Sequence, residues 1–127
     1  MRTDLTPSQK LKWTILQSPC SGESLVGSTV EITAKYIDEL FEASKDELEM
    51  EEERGAEYET SLRAPYNRNY ECCIRAREAP DGSWIAWPYW YGGGKHGCPE
   101  AIPWIEDAFE IESWTEIQIV RCFKEKK

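Results

Sequence analysis

The chain has 127 residues, of which 40% are hydrophobic and six are tryptophan, so we expect one domain over residues 1–127 that buries a core without metal or disulfide support. Its formal net charge of −9 argues against direct binding to nucleic acid. No membrane span or secretory signal is expected, and five cysteines without paired spacing favour a reducing cytoplasm.

A short helix is predicted near the N-terminus. Thr6 followed by Pro7 is typical of a helix start, with the threonine as N-cap and the proline at the first helical position. Ser18 before Pro19 ends the helix. The alternating residues 29–33 favour a short strand after the following loop.

The main helix is predicted over about residues 34–53, with Thr33 as its N-cap and Gly55 as its stop. One face of this helix is apolar and the others are acidic. The apolar face carries Ile37, Leu40, Phe41, Ser44 and Leu48.

The whole net charge lies in residues 38–59, which we name the acidic segment. It contains eleven acidic and two basic residues, and the acidic and basic residues outside it balance. On a helix with a rise of about 1.5 Å per residue, the carboxylates would form a stripe that imitates a phosphate backbone. A solvated surface helix is the plainer interpretation. The predicted partner-binding residues are Asp46, Glu49, Glu52, Glu53, Glu57 and Glu59.

A β-hairpin is predicted from residues 68–78 and 84–91, joined at Pro80-Asp81-Gly82. If Ala79 pairs with Ser83, Arg75 lies opposite Trp87 and forms a cation–π pair with it. One face is then expected to be core. The other is basic and aromatic, and it either packs beneath the N-terminal helix or stacks on nucleic-acid bases, which the net charge disfavours. The expected core face carries Cys72, Ile74, Ala76, Trp84, Ala86 and Trp90, and the other carries Arg75, Arg77, Ile85, Trp87 and Tyr89. A hairpin-centred antiparallel sheet with these helices is a small α+β domain.

The glycine loop, residues 92–97, follows the aromatic strand. It lacks the pattern of a nucleotide-binding P-loop, but its amides could cradle an anion beside Lys95. His96 lacks the signature of a hydrolase around it, and a flexible connector is the plainer interpretation. We predict a secondary contact loop of Tyr89, Tyr91, Gly93, Lys95 and His96.

The C-terminal region is predicted to begin with one or two helical turns in residues 99–108. A strand is predicted over residues 110–123, with Ile117 and Ile119 facing inward.

The segment PDGSWIAWPYWYGGGKHGCPEAIPWIEDAFEI, residues 80–111, resembles a block in small accessory proteins of bacterial phages and plasmids. In size and acidity the chain is also similar to phage-encoded inhibitors of host defence, such as anti-CRISPR and antirestriction proteins. Several such inhibitors act as negatively charged decoys. The resemblance of residues 80–111 identifies no fold or activity, whereas the similarity in size and acidity implies a negatively charged inhibitor. Neither carries over a catalytic residue.

Together these features predict a non-enzymatic binding protein, monomeric or homodimeric, in the cytoplasm of a bacterial host cell. No cofactor, metal, nucleic acid or membrane is expected as a partner. The expected partner is a basic, nucleic-acid-binding bacterial protein. Two alternatives stay open: an immunity protein that neutralises a basic toxin nuclease, and a small ligand-binding protein or enzyme that uses the glycine loop.

Overall fold

A computed structural model describes residues 5–20, 22–113, 121 and 123–125. The described chain has three α-helices and one antiparallel sheet of strand order β1-β2-β3-β4, which confirms the predicted α+β class. The helices are α1 (Pro7–Gln17), α2 (Ala34–Ser44) and α3 (Met50–Arg54), with 3₁₀ turns at Lys45–Glu47 and Pro99–Ala101. The strands are β1 (Tyr58–Glu59), β2 (Glu71–Glu78), β3 (Trp84–Tyr91) and β4 (Phe109–Ile111).

The first helix begins as the sequence predicts. The Thr6 hydroxyl accepts a hydrogen bond from the Gln9 amide, and the Gln9 side chain accepts one from the Thr6 amide. This reciprocal pair satisfies two N–H groups that have no partner inside the helix. The side chains of Leu11, Ile15 and Leu16 are fully buried, so α1 is positioned by its apolar face.

The hairpin has the predicted register. Cys73 lies opposite Tyr89, Arg75 opposite Trp87 and Ala76 opposite Ala86. The Ala79 amide donates to the Ser83 carbonyl at 2.7 Å, and Gly82 takes the positive φ of 92° that the turn requires.

The main core lies on the face of the hairpin that was not predicted to be core. Ile85 and Trp87 are fully buried there against α1, α2 and Trp104. The predicted core face instead holds a smaller cluster of Ile74, Ala76 and Ala86. The prediction is confirmed in that Ile74, Ala76, Ala86 and Trp90 are buried, but the larger core lies on the other face because side-chain size decides which face the helices cover. Trp87 fills the space beneath two helices, whereas paired alanines leave a shallow surface.

The predicted helix over residues 34–53 is broken. It ends at Ser44, passes through a 3₁₀ turn and an extended Leu48 with ψ of 146°, and restarts as α3. On a straight helix Leu48 and Glu53 would point about 140° apart, since each residue turns about 100°. Both side chains are buried, and the break allows this.

One shorter prediction was wrong, and another lies largely outside the described residues. Residues 29–33 are not a strand, although Thr33 caps α2 as expected. The connection after Gly55 contains β1, which pairs with β2. The predicted C-terminal strand is described only as β4, because residues 114–120, with Ile117 and Ile119, lie outside the described residues.

A buried ion pair connects three parts of the fold. Arg77 Nη1 lies 2.7 Å from Glu53 Oε1, and the two side chains are 5% and 0% exposed. The Cys20 amide donates to the other Glu53 oxygen at 2.6 Å, and Arg77 Nη2 donates to the Ser18 carbonyl at 2.7 Å. The pair therefore joins α3 and β2 to the chain after α1.

Removing one member of this pair is expected to leave the other as an uncompensated buried charge. We predict that Glu53→Gln lowers the free energy of unfolding by about 3 kcal/mol, measured by urea denaturation. The matched control is Glu52→Gln, at an exposed neighbour, with an expected change below about 0.5 kcal/mol. Equal free energies of unfolding for the two variants would contradict the conclusion that Glu53 is a buried, ion-paired carboxylate.

A second ionic contact fixes α1 to the hairpin turn. Lys10 Nζ lies 3.3 Å from Asp81 and 3.2 Å from Glu110. Partial burial opposes the Asp81 charge, but hydrogen bonds from the Ser83 hydroxyl and amide and from Lys10 outweigh it and hold the pKa of Asp81 below its ordinary 3.8.

The lowered pKa of Asp81 predicts a pH-dependent contribution to stability. The charged form is favoured in the folded state, so the contribution is present above pH 3.8 and is lost as pH falls through the folded pKa. Asp81→Asn should lower stability by about 1 kcal/mol near neutral pH, and the difference from wild type should shrink below pH about 4 in urea titrations. A difference that stays constant across this pH range would show that the Asp81 charge contributes nothing.

Candidate functional site

Five of the six predicted partner-binding carboxylates are exposed, and the sixth is not. Asp46 lies in the 3₁₀ turn, Glu49 and Glu52 at or in α3, and Glu57 and Glu59 in the chain that follows. Glu53 is fully buried, so its predicted contact with a partner was wrong. Local sequence cannot distinguish it from the adjacent glutamates, because its partner Arg77 is 24 residues away.

The exposed acids do not form one helical stripe. The break between α2 and α3 divides them among three short elements and a strand, which corrects the predicted arrangement. The charge density remains high, because only some of the acids are neutralised. Five acids of the segment pair with bases: Asp38 with Lys12, Glu42 with Lys45, Glu51 with Arg54, Glu53 with Arg77 and Glu59 with Arg75.

Six carboxylates of the acidic segment therefore have no ion-pair partner within the part of the chain that the structure describes. They are Glu39, Asp46, Glu47, Glu49, Glu52 and Glu57, and all six are exposed. Exposed carboxylates without an ion-pair partner contribute little to the stability of the fold. Their summed electrostatic field attracts a cationic partner.

Arg54 holds α3 against the sheet. Its side chain is 3% exposed, its Nη1 donates to the Trp90 carbonyl at 2.5 Å, and its guanidinium lies 4.5 Å from the Tyr89 ring centre. The Trp87 ring nitrogen donates back to the Arg54 carbonyl at 2.8 Å. Glu51 satisfies the outer side of the guanidinium through two hydrogen bonds. The sequence shows Arg54 only as one of two bases in an acidic run, so this role was missed.

Arg75 joins the acidic segment to Tyr89. Its Nε donates to the Ala56 carbonyl at 3.2 Å, and its guanidinium lies 5.6 Å from the Tyr89 ring centre. The expected pairing with Trp87 was wrong, because that ring is buried in the main core. Diagonal neighbours across a hairpin are within reach of long side chains, so the register itself contained the signal for Tyr89.

The structure thus brings together residues that the sequence placed in separate sites. We name Glu59, Tyr89 and Tyr91 the acid–tyrosine surface, since Arg75 contacts both the Glu59 carboxylate and the Tyr89 ring. The two tyrosine rings stack with centres 5.8 Å apart. Desolvation and then the Glu71 carboxylate raise the pKa of Tyr91, so its phenol stays neutral and can donate a hydrogen bond. Carboxylates beside aromatic rings suit contact with arginine or lysine side chains.

The glycine loop is packed by its own residues. Gly93 has a φ of 88°, and a Cβ added there would lie 2.4 Å from the Tyr70 ring. The Cys98 amide donates to the Tyr70 hydroxyl, and the Gly97 amide donates to the Gly94 carbonyl. These two amides are therefore already engaged instead of pointing to an anion. Lys95 and His96 are exposed and make no ion pair or side-chain hydrogen bond within the described residues.

Three of the described cysteines, Cys20, Cys72 and Cys73, do not have the properties of activated nucleophiles. Burial, and then the neighbouring Cys73, raises the pKa of Cys72 to about 11, and burial raises the pKa of Cys73 and of Cys20. A thiol with a raised pKa is protonated near neutral pH and reacts slowly. Among the described residues, no cluster of three or more His, Cys, Asp or Glu side chains has the arrangement of a metal site.

Comparison of the chain with protein-family models, curated proteins and solved structures gave no match. The function of the protein is therefore inferred from the geometry and electrostatics of the described residues. None of the helices in the described part of the chain combines the length and the apolar character that crossing a membrane requires.

The packing of the glycine loop gives a test at two neighbouring glycines. Gly93→Ala combines a strained positive φ with a clash against Tyr70, so it should destabilise the protein by about 2–4 kcal/mol. Gly94→Ala also has a positive φ but meets open space, so it should cost only about 1 kcal/mol. Thermal and urea unfolding of both variants measures the difference. Equal losses would show that the Tyr70 contact does not hold the loop.

Proposed function

We propose that this protein is a non-enzymatic binding protein whose acidic segment occupies a basic groove on a nucleic-acid-handling bacterial protein. The observation that carries the proposal is the group of six exposed carboxylates without an ion-pair partner in the described chain. Such a surface attracts a polycationic groove and accelerates association with it. The phosphate backbone of a nucleic acid presents the same charge to that groove.

The way the acidic segment is held supports this proposal. Repulsion between like charges opposes a compact arrangement, and each close pair on a helix costs about 0.2–0.5 kcal/mol. The buried Glu53–Arg77 pair and the Arg54 contacts offset that repulsion and fix α3 on the sheet. A surface that is rigid before binding loses less conformational entropy when the complex forms.

The alternative that the glycine loop is catalytic receives less support from the geometry. The Gly97 amide of the loop and the Cys98 amide directly after it are engaged within the protein, and His96 has no carboxylate partner among the described residues. A general base needs a group that orients it and a reactive group within hydrogen-bond reach.

For the biological role, we propose that the protein is a phage or mobile-element inhibitor of a host defence protein in the bacterial cytoplasm. The support is the resemblance of residues 80–111 to phage and plasmid accessory proteins, together with the acidity of the chain. An immunity protein against a basic nuclease would use the same surface. A toxin gene beside this one would favour immunity, and early phage genes beside it would favour counter-defence.

The proposal is tested by reversing exposed charges in two matched variants. The first changes Asp46, Glu49, Glu52 and Glu57 to Lys, and the second changes Glu23, Glu31, Glu100 and Glu106 to Lys. Both variants shift the net charge equally, but only the first alters the acidic segment. Each full-length chain is used to capture proteins from a bacterial lysate, and the captured basic protein is then purified and titrated.

We expect the first variant to weaken binding by about a hundredfold or more, and the second by less than about tenfold at physiological salt, where the Debye length is about 8 Å. Added DNA should compete with the wild-type chain for the partner. Equal losses in the two variants would leave only non-specific attraction to net negative charge. Unchanged binding in the first variant would rule out the acidic segment as the contact.

A further inference from the structure

The face of the sheet opposite the helices carries an open cleft of about 1040 Å³. Its lining comes from all four strands, so it crosses the full width of the sheet. Neither the acidic segment nor the glycine loop accounts for this cleft. Its principal apolar lining residues are Tyr58, Leu62, Ala76, Trp84 and Ile111.

Side-chain size creates the cleft. Ala76 and Ala86 lie opposite each other in the hairpin and form a low, buried floor. Tyr58 and Trp84 stand beside this floor with ring centres 5.5 Å apart. Tyr58 and Leu62 are 58% and 45% exposed, although both belong to an apolar wall. A concave apolar surface with exposed apolar walls is typical of an interaction site.

The rim of the cleft is acidic. Glu110 and Glu112 line one end, and a second cleft of about 310 Å³ on the other side of the Tyr58–Trp84 pair is lined by Glu57 and Glu78. The one arginine in the second cleft is Arg77, whose charge is neutralised by Glu53. Lys10 neutralises Glu110 in part. Among the residues that the structure describes, the charged groups at the rim are therefore carboxylates in excess.

We propose that this cleft binds an extended segment of the partner protein in which apolar side chains alternate with lysine or arginine. An extended chain places alternate side chains on opposite sides, so its apolar side chains can enter the cleft while the basic ones begin on the outer side. Lysine and arginine side chains are long and flexible enough to bend back from there to the carboxylates of the rim. Glu57 belongs both to the acidic segment and to the second cleft, which makes the two surfaces continuous. The basic character of the occupant rests on the proposed function.

Three pentapeptides test this inference directly on the full chain. The first has lysine at the odd positions with phenylalanine and leucine between them, the second replaces the apolar residues with serine, and the third replaces the lysines with glutamate. Binding is followed through backbone amide shifts in NMR spectra. We expect the first peptide to bind at least about tenfold more tightly than either other peptide and to shift the amides of Tyr58, Trp84 and Ile111.

Two variants locate the binding. Ser61 is exposed, lines the cleft and makes no side-chain hydrogen bond in the described chain, so Ser61→Trp should fill the cleft without unfolding the protein. Ser61→Trp should lower the affinity for the first peptide at least about fivefold. Ser28→Trp, at an exposed position away from the cleft, should leave this affinity unchanged. Dispersed spectra and unchanged unfolding midpoints confirm that both variants fold.

Several outcomes would overturn the inference. Equal affinity for the lysine and glutamate peptides would exclude a basic occupant, and equal affinity for the apolar and serine peptides would exclude the cleft. If the chain sediments as a dimer and Ser61→Trp makes it monomeric, a second copy is the occupant. The two proposals fail separately. If the peptides do not bind but charge reversal in the acidic segment still weakens capture of the partner, this inference alone is overturned. If the first peptide binds but charge reversal in the acidic segment leaves capture of the partner unchanged, the proposed function alone is overturned.

Discussion

The structure depends on one buried ion pair, Glu53 with Arg77. Its two members come from the short acidic helix α3 and the central strand β2, and their remaining hydrogen bonds reach the chain just after α1. A buried charge is tolerated only when its partner and its hydrogen bonds are all in place, so the pair specifies one position for α3. Arg54, the next residue, secures the same helix to the β3 backbone and to Tyr89.

This constraint explains how a strongly charged segment becomes part of a folded surface. The charges on α3 repel one another, and a five-residue helix has little stability of its own. The interior of the protein provides the stability that the helix lacks, so its other carboxylates can remain exposed. Arg54 and Arg75 place the acidic segment beside the Tyr89 ring, on which Tyr91 stacks. Folding and the proposed binding surface therefore depend on the same interactions.

Local sequence patterns predicted the hairpin register and the helix caps. They failed for features that depend on contacts between residues far apart in the chain. The hairpin register followed from the Pro80-Asp81-Gly82 turn and the alternation of its strands, and both helix caps followed from a threonine at the right place. The break at Leu48 and the burial of Glu53 could not be predicted, because both depend on contacts with residues far along the chain. Both faces of the hairpin contribute to the core, but alternation does not show that the Ile85 and Trp87 face holds the larger part.

We propose the acidic segment as the surface through which this protein contacts a basic partner. Hydrogen–deuterium exchange of the full chain, with and without the captured partner, tests it most directly. We predict protection concentrated in residues 45–59, and loss of that protection at about 1 M salt, where the Debye length falls to about 3 Å. Protection confined to residues 92–97, with exchange in the acidic segment unchanged, would contradict the claim.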